Sequence, residues 1–449
     1  MQRRLFLLSF AMGLLTIMLS GATLAANVVP EHTSDTRAQR AALFEQMMND
    51  PADLDTAFRY AALATQAGEL EAAIATLERM LIFAPGLPRL QLELGVLYYR
   101  LGAWQNARSY LEAALAADNV PVEVADRVEP LLAAISKRES PSRSATTLTF
   151  GLRHQSNANA GPTDRIITLN DLDFLLDDSA RRRPGANLFA SGRFEYSHDL
   201  PTQGDRFESH VLAFATRHEQ LDEYNTLALD ASTGVALDLG RFDMDDSELV
   251  LDTNVLGVML DGEAYLVAPG LGLQLSKALE ARWHLMLGSQ FRYQDYRASS
   301  SRPVADERTG PLLQLSARLE YRPNQRVALY TGLSGEQYEA RSDFFSYHQA
   351  ELLVGSLWRF LPPLGDSAAP WTLAAELGYI DRRYDQPDPV VSPTERQDAH
   401  ETHARLGLTT PMNDRTALLW QIDHRNVESN YVLQDVSNTG VTLAISVSF

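Results

Sequence analysis

Thirteen charged residues in the C-terminal part of the chain sit at positions that alternate with apolar ones. They are Arg153, Arg193, Glu195, Arg292, Arg318, Glu320, Glu336, Arg359, Glu376, Arg382, Arg405, Asp423 and Arg425. Leu313-Gln-Leu-Ser-Ala-Arg-Leu-Glu-Tyr321 shows the pattern best: its odd positions are apolar or aromatic, its even ones polar or charged. Side chains of a strand point alternately to two faces, so each such segment has one greasy and one polar side. With the polar sides gathered inside a closed barrel, they would line a hydrated lumen through which something polar moves. Alternatively, opposite charges on neighbouring strands pair across the wall and simply hold it. The surplus of arginine suits an anionic or polar cargo, and the mixed signs suit pairing.

Other constellations carry less chemistry. His400-Glu-Thr-His403 lacks the spacing that sets two histidines on one helix face, and it falls at a strand start. Gly332-Leu-Ser-Gly335 is followed by Glu336, where a nucleophile elbow needs glycine and then a helix. Asn170, Asp171 and Asp173 lack the glycine and terminal glutamate of a calcium loop. No enzymatic activity, cofactor or metal is expected.

The alternating segments number about fourteen. They begin near Thr147, Leu188, Arg206, Thr226, Glu248, Tyr265, Arg282, Leu312, Arg326, Gln349, Trp371, Thr402, Thr416 and Thr439. An even count puts both ends of an antiparallel transmembrane barrel on one side. Tight turns are expected there at Ser276-Lys-Ala278, Pro323-Asn-Gln325 and Met412-Asn-Asp414. Longer loops are expected opposite, at 156–185, 298–308 and 386–396. Tyr196, Tyr293, Tyr321, Trp358, Trp371 and Tyr379 fall at strand ends, as interfacial girdles require. The first long loop is unusually apolar, with Ile166, Ile167, Leu169, Leu172, Phe174, Leu175 and Leu176 before Arg181-Arg-Arg183. It is expected to fold inward and narrow the pore, with the arginines near acidic wall groups such as Glu195; the alternative is a loop packed over the rim of the barrel.

The chain closes on Gly440-Val-Thr-Leu-Ala-Ile-Ser-Val-Ser-Phe449. Thr442, Ala444, Val447 and Phe449 resemble the insertion signal of bacterial outer-membrane barrels, with alanine in place of the usual glycine. That resemblance implies lipid and the barrel assembly machinery as partners. At the other end, Arg3-Arg4, an apolar run to Leu19 and small residues to Ala25 read as a signal peptide over residues 1–25. The chain has no cysteine, hence no disulfide or thiolate metal site. A net charge of −19 argues against nucleic acid as a partner.

Between these lies helical periodicity. Residues 26–40 read as a flexible lead, 41–137 as a helical domain, 138–144 as a linker and 145–449 as the barrel. Gly68 and Gly102 lie 34 residues apart, as do Ala61 and Gly95, Ala73 and Ala107, and Leu77 and Leu111. With Tyr98 and Ala114 they form a pattern that resembles two tetratricopeptide repeats. Helices at about 41–50 and 123–137 flank the pair. Such repeats offer concave partner-binding surfaces, for which Arg59, Gln66, Gln91, Glu93 and Tyr98 are the candidates.

A signal peptide, a short repeat domain, a fourteen-stranded barrel and the Asn-rich opening Gly151-Leu-Arg-His-Gln-Ser-Asn-Ala-Asn-Ala160 together resemble the surface lipoprotein assembly modifier (Slam) family. The resemblance implies an outer-membrane protein with its repeats in the periplasm. Those repeats would meet a protein client or a periplasmic chaperone, and the protein would assist translocation of specific proteins or lipoproteins to the cell surface. A polysaccharide export porin is the alternative, and a simple solute porin follows it.

Overall fold

The computed structural model describes residues 34–117, 120–170, 172–202, 204–362 and 369–449. The expected signal peptide, residues 1–25, and the first part of the lead lie outside the described residues. The chain divides into a helical unit and a barrel unit that begins at Ser142.

Six helices make the first unit: α1 (Ser34–Asn49), α2 (Leu54–Gln66), α3 (Leu70–Met80), α4 (Pro88–Leu101), α5 (Trp104–Leu115) and α6 (Val122–Glu139). Helix α1 starts seven residues before the expected 41, so the second half of the assumed flexible lead is helical. Its turns there are polar all round, which hid them from a search for apolar periodicity. The linker shrinks to Ser140 and Pro141. Asp53 caps α2 by accepting from the backbone N–H of Asp55 and Thr56. Pro88 opens α4, and Gly102 closes it with φ 84°. Gly68 takes the same left-handed conformation at φ 79°, 34 residues earlier. The pairs α2–α3 and α4–α5 are therefore two copies of one helical hairpin. A Cβ at Gly95 would lie 2.6 Å from Leu111 Cδ2, so only glycine lets α4 and α5 approach this closely. Ala57, Ala73, Ala107 and Ala114, all fully buried, repeat that economy of volume.

The second unit is a closed antiparallel barrel of fourteen strands. They are β1 (Ser142–Gln155), β4 (Gly185–Asp199), β5 (Arg206–His218), β6 (Thr226–Asp238), β7 (Ser247–Leu260), β8 (Glu263–Glu280) and β9 (Trp283–Tyr296). The circle continues with β10 (Gly310–Asn324), β11 (Val327–Tyr338), β12 (Tyr347–Phe360), β13 (Trp371–Tyr384), β14 (Asp398–Pro411), β15 (Thr416–Ser429) and β16 (Val436–Ser448). The expected starts at Arg206, Thr226, Trp371 and Thr416 coincide with the observed ones, and the others fall within five residues. One expected turn is displaced: β8 runs through Ser276–Ala278 and turns at 281–282. The extra length is accommodated by an irregularity between Ala278 and Glu280. A small hairpin, β2 (Ile166–Leu169) with β3 (Leu172–Leu175), lies in the β1–β4 loop.

Phe150, Leu188, Leu229, Leu271, Phe291, Leu333, Leu377 and Ile422 stand exposed on the outer face of β1, β4, β6, β8, β9, β11, β13 and β15. A continuous apolar band of this kind is tolerated where lipid, not water, is the solvent. None of the described helices is long and apolar enough to cross a membrane.

Candidate functional site: the barrel lumen and the repeat groove

On every barrel strand the charged candidates have the parity opposite to the exposed apolar residues, so strand alternation alone sends them inward. They are not loose in the lumen. Glu376 on β13 and Arg405 on β14 are direct register partners, joined Nη1 to Oε1 at 3.2 Å. Arg405 also lies opposite Asp423 on β15. Asp423 accepts from Arg153 on β1 at 3.2 Å, past the intervening β16. Gly440 makes this possible, because a Cβ there would lie 2.7 Å from Asp423 Oδ2. The same device recurs twice. Tyr330 on β11 passes over Gly355 of β12 and donates to Glu376 at 3.1 Å. Arg292 on β9 passes over Gly270 of β8 to Asn254 Oδ1 at 2.9 Å, and reaches Asp230 Oδ2 at 2.9 Å. Arg318 stands 3.9 Å over the Tyr330 ring. From β10 round to β1 the inner wall thus carries one connected polar belt.

The remaining candidates are tied locally. Arg425 grips Glu401 with two hydrogen bonds of 2.6 and 2.7 Å. Arg193 meets Glu195 at 3.3 Å. Arg382 donates twice to Gln349, at 2.8 and 2.6 Å, and lies over the Tyr347 ring. Glu336 accepts from Tyr347, and Glu320 from Arg322. Arg359, half-buried near the end of β12, donates its backbone N–H to the Arg326 carbonyl.

The arginine surplus expected from sequence is not there. Asp199, Glu208, Asp230, Asp238, Glu248, Asp252, Glu351 and Glu401 share the inward parity, and only Arg143, Arg206 and Arg322 join the bases. Their signal was available in the period-two pattern, but they lie in segments whose apolar contrast is weak, such as Glu401 between His400 and Thr402. The lumen is therefore a wall of paired dipoles, not a positive tube. His400 faces outward, its ring stacked with Tyr379, while His403 leans inward over Gly378, so strand alternation separates the two. Ser334 sits mid-strand and donates to Glu351 at 3.1 Å.

Where the strands end on the side away from Ser142 and Phe449, the seven loops are joined in a circuit. Tyr224 donates to the Asn159 carbonyl (3.1 Å), and Asp261 N–H to Asn225 (2.8 Å). Ser301 reaches Glu263 (3.2 Å), and Ser342 N–H reaches Glu307 (2.9 Å). Asp385 N–H bonds Ser346 (3.0 Å), Asp388 N–H bonds the Tyr431 hydroxyl (3.1 Å), and Thr163 N–H bonds Asp435 (2.9 Å). The Asn-rich opening belongs to this circuit. Asn157 donates to Gly161 and Ser437 and accepts from Gly161 N–H, and its backbone N–H bonds Asn438. It so extends the β1–β16 seam beyond its last ladder pair.

The hairpin β2–β3 follows the rim alternative rather than the inward one. Ile167 and Leu176 are buried against Leu169, Val432 and Leu433, and Asn170 N–H bonds the Val391 carbonyl, so its anchors are rim loops. Ile166, Leu172, Phe174 and Leu175 remain exposed. Arg181 pairs with Asp178 at 3.3 Å, and Glu195 keeps Arg193. Glu195 is ten residues along β4 from its first residue, Gly185, roughly 33 Å at strand rise, which puts it out of reach of the loop arginines. Of the terminal signal residues, Thr442 is buried on the inner face, Val447 pairs with Leu148 on the outer one, and Phe449 is exposed with its backbone bonded to Thr146.

In the helical unit the candidates separate by helix face. Arg59, Glu93 and Arg127 stand 34 apart in sequence, and Arg127 meets Glu93 at 3.1 Å, which makes α6 the first helix of a third repeat. Arg59 lines a cavity of about 490 Å³ with Gln39, Ala42, Leu43, Gln46, Ala62 and Leu63. Gln66 is exposed on the same helix, seven residues on. Gln91 is not available to a partner, and Tyr98 is half-buried with its hydroxyl already engaged. Their positions, with Gly95, fall on the face of α4 that packs inward. Gln91 is buried and donates to the Pro85 carbonyl at 2.8 Å. Tyr98 donates to Glu78 at 2.7 Å and stacks on Tyr110. That hydrogen bond to a carboxylate, with burial, pushes the Tyr98 hydroxyl up to about 12.

A family model for the tetratricopeptide repeat matches residues 61–133. The helical unit is a tetratricopeptide-repeat unit. No curated protein matches the chain. Among solved structures, the chain is similar to the COG4313 outer membrane channel from Pseudomonas putida F1, at 12% identity and TM-score 0.37, over 68% of this chain and 95% of that one. It is also similar to the outer membrane channel DcaP of Acinetobacter baumannii, at 10% identity and TM-score 0.38, over 69% and 97%. The Yersinia enterocolitica type III secretion chaperone SycD, in complex with a peptide of the translocator YopD, is similar at 18% identity and TM-score 0.22, over 24% and 83%.

Proposed function

We propose that this protein is an outer-membrane helper of the surface lipoprotein assembly modifier type, which assists the passage of specific proteins or lipoproteins to the cell surface. Its repeat unit would stand in the periplasm and engage a protein client or chaperone. The observation that carries this reading is the joining of two features in one chain. One is a repeat unit with a groove beside Arg59. The other is a barrel whose inward charges are paired and whose far loops are laced together. A porin for free solutes needs neither. The role asks for no catalysis and no cofactor.

One observation favours polysaccharide export as a second reading. Tyr347 and Tyr384 are register partners on the inner face and keep part of their surface exposed, and aromatic faces suit sugar rings. The two are separated by comparing cells with and without the gene. Loss of one class of surface protein from protease-shaved cells supports the first reading. Loss of surface polysaccharide with the protein set unchanged overturns it in favour of the second.

A further inference from the structure

Five inward residues of two neighbouring strands, Leu256, Val258 and Leu260 on β7 with Leu266 and Ala268 on β8, are almost fully buried. They lie on the face that turns to the lumen. The interior of a fourteen-stranded barrel is wide enough to hold water unless something fills it. Wall residues buried to this degree need a cover from inside.

The cover comes from the β9–β10 loop, residues 297–309. Ala305 is 0% exposed and belongs to the same apolar cluster as these five residues, together with Tyr265, Tyr296, Leu312 and Tyr338. Arg302, also buried, donates to the Glu223 carbonyl in the β5–β6 loop at 2.8 Å and lies over the Tyr265 ring. To get there the loop must pass the β7–β8 turn, which is two residues long (261–262) and leaves the way clear. Ser301 touches Glu263 beside that turn. The other end is held by Arg308, whose guanidinium stands 4.3 Å over Phe345 and whose carbonyl accepts from Tyr338. By contrast, the β2–β3 hairpin has its anchors in rim loops and keeps four apolar side chains exposed.

We propose that the β9–β10 loop, and not the β1–β4 hairpin, narrows the barrel mouth. Its seat is the apolar inner face of β7 and β8, and its latch is the contact of Arg302 with Glu223. The passage that remains runs along the paired charges of β13 to β15 and β1. This rests on the reading of the barrel as a conduit.

The test is planar-bilayer conductance of the full chain and three variants. Deleting residues 299–306 should raise single-channel conductance by about twofold or more, because an inward loop is the main obstruction in a barrel of this width. Ala305→Glu, which puts a charge into the apolar seat, should raise it without shortening the chain. Deleting residues 166–175 should leave it unchanged. Equal conductance in the intact chain and the first two variants overturns the proposal, whether the common value is large or zero. A large common value leaves the conduit reading standing, so the two failures are distinguishable. A labelling measurement covers variants that assemble poorly. The natural chain has no cysteine, so Ala305→Cys gives a single thiol. It should resist a maleimide-polyethylene glycol reagent in the folded barrel and react after unfolding. Immediate reaction in the folded state overturns the seat.

Discussion

Arg153 and Asp423 lie two strands apart in the barrel, yet their side chains meet at 3.2 Å because the residue between them, Gly440, has no side chain. The pair bridges β16, one of the two strands at which the barrel closes. Both groups are buried. A buried pair adds little over an apolar isostere, but removing one partner leaves an uncompensated charge, at a cost of about 3–5 kcal/mol. Asp423→Ala should therefore lower the temperature at which the folded band disappears on heat-modifiability gels. Gly440→Val should do likewise, by displacing the carboxylate rather than deleting it. A Gly440→Val barrel as heat-resistant as the natural one would show that the bridge is dispensable.

Removing inward carboxylates should change ion preference. Glu376 and Glu401 each hold an arginine, Arg405 and Arg425. With Glu376→Gln and Glu401→Gln together, two guanidinium charges lose their partners. The reversal potential across a salt gradient, near zero for the paired wall, should move to the anion-selective side. A shift toward cations would contradict the pairing.

Phe449 is 67% exposed and fixed through its backbone to Thr146. Its ring is free to be read by an assembly partner. Deleting Phe449, or replacing it by Asp, should reduce the yield of heat-modifiable barrel in membranes while leaving synthesis of the chain unchanged. Normal yield would mean that this end is not the signal it resembles.

Gly95→Val should destabilise the helical unit. The valine gains helix propensity over glycine by a few tenths of a kcal/mol, but its branched Cβ meets Leu111 Cδ2 and Cγ at 2.6 Å. Overpacking of this kind costs about 1–3 kcal/mol and wins. The helical circular-dichroism signal should melt roughly 4–15 °C lower. An unchanged melt would show that α4 and α5 can move apart freely.

The helical unit should also lose stability at high pH. The Tyr98 hydroxyl titrates near 12 when folded against an ordinary value of 10.0. Its contribution is complete below pH 10 and disappears as the pH rises toward 12. In Tyr98→Phe the alkaline fall in melting temperature over that window should be shallower. An identical slope would place the effect elsewhere.

Alternation was legible because strand geometry writes itself directly into sequence, and Leu313–Tyr321 and the last ten residues carry it without interruption. Inter-loop geometry does not. Residues 297–309 read as polar, since a buried Arg302 and a buried Ala305 look in sequence like any other surface arginine and alanine. The apolar run from Ile166 to Leu176 looked like buried material, yet half of it stays exposed. For Gln91 and Tyr98 the helix was right and the face wrong, because the offset of 34 from Arg59 points to Glu93 and Arg127. Charge balance was misjudged for a related reason: an acid such as Asp230 is matched to Arg292 by three-dimensional neighbourhood, 62 residues away.

The seam between β1 and β16 joins Thr147 to Ser448 through nine consecutive pairs, at a separation of 301 residues. Bringing such distant segments together costs roughly 5 kcal/mol of chain entropy, about twice the cost for a hairpin. It also imposes an order in time. The free edge of β1 must wait, unpaired, until every other strand has been made and delivered. An open edge of this length is a template for pairing with any other chain. Kinetic shielding of that edge, by a periplasmic escort or by the membrane machinery itself, is thus a requirement of the strand order before it is a matter of cell biology.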